Sequence, residues 1–228
     1  MPADEVCGDE RLRSVAERRT EQIANAAVAL FSERGYVQTT IEDISNEVGV
    51  GKGLIYRYFE DKREVLFSAL CAVLDKYRKE NIVALLKEVG PLEALKRVLA
   101  INCTISQEHA PEVILAYRST KDLMPEQRRK IKAIETEIVG EIRQCLDACI
   151  RAGLMHPFDV KIMGYQYLMF GHMWALKNWA LNKDFTVYEF VAAGEKLLIV
   201  PFLTESGRRK MKISCEGPAK KERRARTR

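Results

Sequence analysis

The stretch TTIEDISNEVGVGKGLIYRYFEDKREVL, Thr39 to Leu66, decides how the chain reads. Thr40 followed three residues on by Asp43 is a variant capping box, with Asp in place of the longer Glu or Gln. Ile41, Ile44 and Val48 then repeat at helical spacing along one side of a short helix that Gly49 ends. A third short helix covers about Lys52 to Tyr58. Glu60 and Asp61 open a fourth, which Val65, Leu66, Ala69, Leu70, Val73 and Leu74 carry to about Lys79. Upstream, Ile23, Ala26, Ala27, Leu30 and Phe31 mark an amphipathic helix from about Ala16 to Arg34, with Gly35 as its left-handed cap.

Two short helices joined by a glycine turn cannot make a core alone. Ile41, Ile44, Val48, Val50, Ile55 and Phe59 are therefore expected to close on Leu30 and Phe31. That closure leaves Lys52, Gly53, Leu54, Tyr56, Arg57 and Tyr58 on the other side of the third helix, a mixture of cation, hydroxyl and bare backbone suited to a DNA major groove. Lys62 and Arg63 come next in line for phosphates. Residues 1 to 60 hold seven Lys/Arg against eleven Asp/Glu, yet Lys52 to Arg63 holds four cations against two acids, so local arrangement outweighs the sum.

The remaining chain is sparse in Pro and Gly, and its apolar residues recur at three and four, which predicts an all-α protein. Helical segments are expected near 92 to 108, 112 to 121, 125 to 152, 159 to 182 and 185 to 203. The longest run without Asp, Glu, Lys or Arg, Ile162 to Leu176, falls short of a membrane span. The charged N-terminus does not read as a signal peptide, so the expected location is cytoplasmic. The six cysteines show no metal or CxxC spacing and are expected reduced; only Cys145 and Cys149, at i and i+4, could approach each other. His109, His156 and His172 show no metal-ligand spacing either. Residues 205 to 228 hold ten Lys/Arg against three Glu and are expected to form a basic, disordered tail able to attract nucleic acid non-specifically.

Gly35-Tyr36, Thr39-Thr40, Asp43-Ile44, Gly49-Val50, Lys52-Gly53, Tyr56, Tyr58-Phe59 and Lys62 together resemble the N-terminal helix-turn-helix domain of the tetracycline-repressor (TetR) family over residues 16 to 78. Family members often carry Ser and Thr where this chain has Gly51 and Leu54. The resemblance implies a flexible arm at 1 to 15, a three-helix DNA-binding domain at 16 to 78, and a larger helical ligand-binding and dimerisation domain at 79 to 204. It adds Thr39 and Thr40 to the DNA-contacting set of Lys52, Gly53, Leu54, Tyr56, Arg57, Tyr58 and Lys62. It also implies that the last two helices, the nearly all-apolar Val160 to Ala180 and the segment Val187 to Leu203, pair with those of a second subunit.

The function these readings imply is a ligand-responsive transcriptional regulator: a homodimeric repressor released from a palindromic operator by a small lipophilic or acyl-type effector. Met124, Tyr165, Met169, Met173 and Trp174 are the expected lining of the effector pocket, because Met repacks around varied shapes. The sequence offers no phosphate-binding glycine loop, nucleophile elbow, HExxH or paired catalytic acids, so neither an enzyme nor a cofactor or metal is expected. A helical scaffold protein would keep the apolar helices without needing the exposed Lys52, Tyr56, Arg57 and Lys62 set.

Overall fold

The structure, a computed structural model, describes residues 4 to 215, and the side-chain surroundings of residues 15 to 211. The described residues form helices and turns with no strand; Met155 and Leu203 make an isolated antiparallel bridge. The helices are α1 (Asp4–Arg34), α2 (Ile41–Val48), α3 (Lys52–Tyr56), α4 (Lys62–Lys79), α5 (Ile82–Val89), α6 (Pro91–Glu108), α7 (Ala110–Ser119), α8 (Pro125–Arg151), α9 (Val160–Leu176), α10 (Asn178–Leu181), α11 (Val187–Leu198) and α12 (Glu205–Cys215). They divide into two compact units. Among the described residues, the first holds Asp4 to Lys76 with Glu108 to Glu135, the second Tyr77 to Gln107 with Thr136 to Cys215.

Three boundaries differ from the sequence expectation. The helix α1 begins at Asp4, upstream of the expected start near Ala16. Apolar periodicity located the packed part of α1, but a helix propagates beyond its packed part wherever propensity allows, and no proline interrupts residues 4 to 34. The helix α5 was not expected. Asn81, held at φ 42°, accepts from the Ala84 N–H at 3.1 Å and caps it, and Ile82 is its buried anchor. Lastly, residues 108 to 135, assigned by sequence to the larger domain, group with the N-terminal unit. Leu115, Leu123 and Ile131 join the same buried cluster as Leu30, Phe31, Ile44, Ile55 and Phe59.

That cluster confirms the expected closure of the first unit. Ile44 and Ile55 are fully buried and Ile41, Val48 and Val50 pack on the margin. Burying a side chain such as Ile44 or Ile55 contributes about 1.5 to 3 kcal/mol each. Phe31 and Tyr36 meet edge to face at 5.2 Å.

In the second unit, Leu95, Val98, Leu99, Ile142, Leu146, Tyr167 and Leu168 are core residues. Phe170 stacks on Phe190 at 4.4 Å, and Trp174 tilts against the same Phe190 at 5.1 Å. Gly194 lets Phe170 and Leu99 approach so closely that a Cβ there would stand 2.5 Å from the Phe170 ring. The segment expected as a disordered tail is helical over its first part, α12, and residues 216 to 228 lie outside the described residues. The start of α12 is docked: Gly207 is buried against the Leu154 carbonyl, Thr204 Oγ1 donates to Gly153 O at 2.7 Å, and Gly207 N donates to Thr204 Oγ1 at 3.1 Å.

Candidate nucleic-acid interface

The turn between α2 and α3 is set by local chemistry. The Thr40 hydroxyl accepts from Asp43 N at 3.1 Å, while the Asp43 carboxylate accepts from Thr40 N and from the Thr40 hydroxyl, both at 2.7 Å. The Thr40 hydroxyl and backbone N–H together hold Asp43 below its ordinary carboxylate pKa. Gly49, at φ 74°, adopts the left-handed conformation that a Cβ disfavours, and its N–H donates to Asn46 O at 3.1 Å. The chain then enters α3 through Gly51.

Ile55 is fully buried and fixes the rotation of α3. Lys52, Gly53, Tyr56 and Arg57 turn outward; Tyr56 is 55% exposed although it is a large aromatic residue. Leu54 and Tyr58 are half-buried, Tyr58 packing at the edge of the core cluster. The Lys52 ammonium lies 2.7 Å from Glu42 on α2, which raises its pKa. Because both side chains are exposed, this pair is a weak tether that a phosphate or base edge can displace. Arg63, also exposed, pairs with Asp61 at 3.2 Å and donates to the Met124 sulfur at 3.0 Å.

Two expected DNA contacts are built inward. Thr39 is fully buried, and its hydroxyl donates to the carbonyls of Gly35 at 2.9 Å and Leu30 at 3.3 Å, closing the end of α1. Lys62 reaches back to the loop before α2, donating to Tyr36 O at 2.8 Å, Val37 O at 3.2 Å and Thr39 O at 2.7 Å. Its ammonium also sits 4.5 Å above the Tyr36 ring. All three donors of an ammonium are thereby engaged. Partial burial pulls the Lys62 pKa below its ordinary value. A lysine near a helix start reads equally as a phosphate ligand or a loop clasp until the partner carbonyls are located in space.

The five residues expected to line an effector pocket are not brought together. Met124 belongs to the first unit, is 47% exposed and precedes α8. Tyr165, Met169 and Met173 lie with Ile162 along the exposed face of α9, at i, i+3, i+7 and i+11. Trp174 alone is interior. The helix is apolar all round, so periodicity could not tell its inner face from its outer one.

Two interior polar residues, Asn102 and Tyr167, stand outside the sequence-derived site set. Asn102 is 3% exposed and donates through Nδ2 to the Tyr167 and Leu168 carbonyls of α9. Its signal in the sequence was a lone amide at a core position of an otherwise apolar helical face. Elsewhere in this unit Lys96 stands between Glu93 at 3.6 Å and Glu195 at 4.0 Å, and burial raises the Glu195 pKa. Burial also pushes the His172 imidazole down to about 4, and the thiols of Cys145 and Cys149 up to about 11 and about 12. Such thiols are poor nucleophiles at neutral pH. Among the described residues no helix is long and apolar enough to cross a membrane, and no cluster of His, Cys, Asp and Glu has metal-holding geometry.

Comparison with known proteins agrees with this architecture. The model for bacterial regulatory proteins of the tetR family matches residues 23–69, and a tetracyclin repressor-like C-terminal domain matches residues 88–179. The HTH-type transcriptional regulator HbdR of Aromatoleum sp. (strain CIB) is 40% identical over 197 residues, 86% of either chain. Among solved structures, the TetR family regulator PfmR of Thermus thermophilus superposes with a TM-score of 0.69 at 24% identity, covering 78% of this chain and 96% of its own. AibR, solved in complex with isovaleryl coenzyme A and operator DNA, gives 0.68 at 21% identity, over 81% of this chain and all of its own. A helix-turn-helix with an outward-facing recognition helix, joined in one chain to a second helical unit and related to HbdR over most of its length, places this protein in the TetR family of DNA-binding transcriptional regulators.

Proposed function

We propose that the protein is a homodimeric repressor that holds a palindromic operator and releases it when a small acyl-type or lipophilic molecule binds the second unit. The observation that carries the DNA half is the outward set Lys52, Gly53, Tyr56 and Arg57 on a helix whose rotation Ile55 fixes. One helix of this length reads only a few base pairs, so useful specificity calls for two copies on successive major grooves, about 34 Å apart. The exposed apolar stripe of α9, with Tyr188 of α11 82% exposed, supports the second copy. Isolated apolar side chains on a surface are ordinary, but a row at helical spacing favours burial against a partner. The effector half draws support from AibR, a fold relative solved with both an acyl coenzyme A and operator DNA.

The test is retardation and footprinting on the DNA upstream of the protein's own gene. A footprint with dyad symmetry is expected, and Tyr56→Ala should weaken it by about 1 to 3 kcal/mol while relaxing base preference at one position of each half-site. No retarded fragment, or a Tyr56→Ala protein with unchanged affinity and base preference, overturns the assignment of the reading face.

A further inference from the structure

At the end of α1 the first unit holds a cavity of about 360 Å³. Its walls are the last turn of α1, the loop Gly35 to Gln38, the second half of α7 and the turn at Lys121 and Asp122. All four segments belong to the first unit, so the cavity is complete within it. Sites for small organic molecules run from about 300 to 1,000 Å³. Phe31 and Leu115, 2% and 3% exposed, give the cavity an apolar lining, and the Tyr36 ring, edge to face with Phe31, shares the wall. Three cations, Arg34, Arg118 and Lys121, line it against two acids, Glu33 and Asp122. The acids have other calls on them. Glu33 lies 4.0 Å from Arg34, which also reaches Asp43 at 3.8 Å and offsets the negative end of α1. Asp122 acts electrostatically on Lys62 and Tyr36. Arg118 and Lys121 are exposed and make no ion pair among the described residues. Such cations are ordinary on an open surface. These two stand instead at a cavity walled by aromatic and aliphatic side chains, where a charge and an apolar body can be met together.

From this cavity between α1 and α7 we infer a binding site in the first unit for a small amphiphilic monoanion, a carboxylate or sulfonate on a flat apolar body. The body lies against Phe31, Tyr36 and Leu115, and the charge is held by Arg118 and Lys121. The site is separate from the effector site proposed for the second unit and does not rest on it. A neutral molecule of the same shape keeps the apolar contacts and loses the charged ones. A polyanion gains little, because Glu33 and Asp122 line the same cavity and repel further negative charge. The wall at Tyr36 and Val37 is the loop whose carbonyls Lys62 holds, so the occupant lies beside the segment that leads into α2.

The probes are naphthalene-2-sulfonate and naphthalene-2-sulfonamide, which share one shape and differ in charge at neutral pH. Titration calorimetry on the full chain measures both, and the methyl signal of Ile114, which lines the cavity from α7, reports where they sit. Assignment of that signal comes from its loss in Ile114→Val. The sulfonate is expected to bind saturably, to move the Ile114 methyl signal, and to bind about 10-fold tighter than the sulfonamide, the worth of two partly screened ion pairs. The double variant Arg118→Gln, Lys121→Gln should lose that 10-fold for the sulfonate and keep the parent's affinity for the sulfonamide. Its melting temperature should match the parent's, since neither cation makes an ion pair. A second variant, Ile114→Trp, fills the cavity and should abolish this binding for both probes. Equal affinity for the two probes, or no saturable binding of the sulfonate, overturns the inference. So does sulfonate binding that survives either variant at the parent's strength or leaves the Ile114 signal unmoved, because the probe then sits elsewhere, the second unit included. Operator retardation measured without probe is independent of all these outcomes, so failure here leaves the proposed regulator standing.

Discussion

Replacing Lys62 by Met keeps the aliphatic stem and removes the ammonium, which separates a loop clasp from a phosphate contact. In the structure that ammonium donates to the carbonyls of Tyr36, Val37 and Thr39 within 3.2 Å and lies over the Tyr36 ring. A hydrogen bond involving a charged group contributes about 1.5 to 3 kcal/mol when well buried. Lys62 is only half-buried, and its desolvation opposes the gain, so the three together are expected to be worth about 2 to 3 kcal/mol, less than their separate maxima. At about 2 to 4 °C per kcal/mol for a chain of this size, Lys62→Met should melt about 4 to 12 °C lower. Thermal unfolding measures that shift, and operator titrations between about 50 and 200 mM salt measure the second quantity. A lysine that neutralises one phosphate contributes about 0.9 to the slope of log K against log salt. The clasp predicts a parallel salt plot, with affinity reduced because the loop before α2 loosens. A Lys62→Met protein with unchanged melting temperature and a slope smaller by about one would show that the side chain swings out to the backbone of DNA, and the reasoning would fail.

Acid should weaken the second unit through His172. Its folded pKa of about 4 lies below the ordinary 6.5, so the unfolded chain binds a proton that the folded one refuses, and stability falls as pH drops from 6.5 towards 4. The loss approaches about 1.4 kcal/mol per pH unit, some 3 kcal/mol across the window; urea midpoints of the parent and of His172→Gln, with the variant showing the flatter profile, check it. The native thiols of Cys103, Cys145 and Cys149, pushed up to between about 11 and about 12, should resist iodoacetamide at pH 8 and react fully in urea; peptide mass spectrometry that finds rapid native labelling of Cys145 or Cys149 would show an opening that the fold does not contain. Gly171→Ala should destabilise by about 1 to 3 kcal/mol, because its methyl group would stand 2.6 Å from the Asn102 amide, and an unchanged unfolding midpoint would mean that α6 and α9 are farther apart in solution.

Features that local chemistry dictates were legible in the order of the amino acids alone. The Thr40 to Asp43 capping box, the left-handed Gly49 and the apolar spacing of Ile41, Ile44, Val48 and Ile55 are short-range patterns, and each is found where its spacing puts it. The outward face of α3 follows from the same arithmetic, since burying Ile55 turns Lys52, Tyr56 and Arg57 away. Features that depend on partners distant in the chain became visible only in the folded molecule. Lys62 meets carbonyls more than twenty residues earlier, Thr39 caps the end of α1, and residues 108 to 135 pack with a unit they do not follow directly. The fold also decided which side of α9 is inside. On a helix apolar all round, no period distinguishes Met169, left at the surface, from Trp174, shut in the core; neighbours held on other helices, among them Val139, Asn102 and Phe190, break that symmetry.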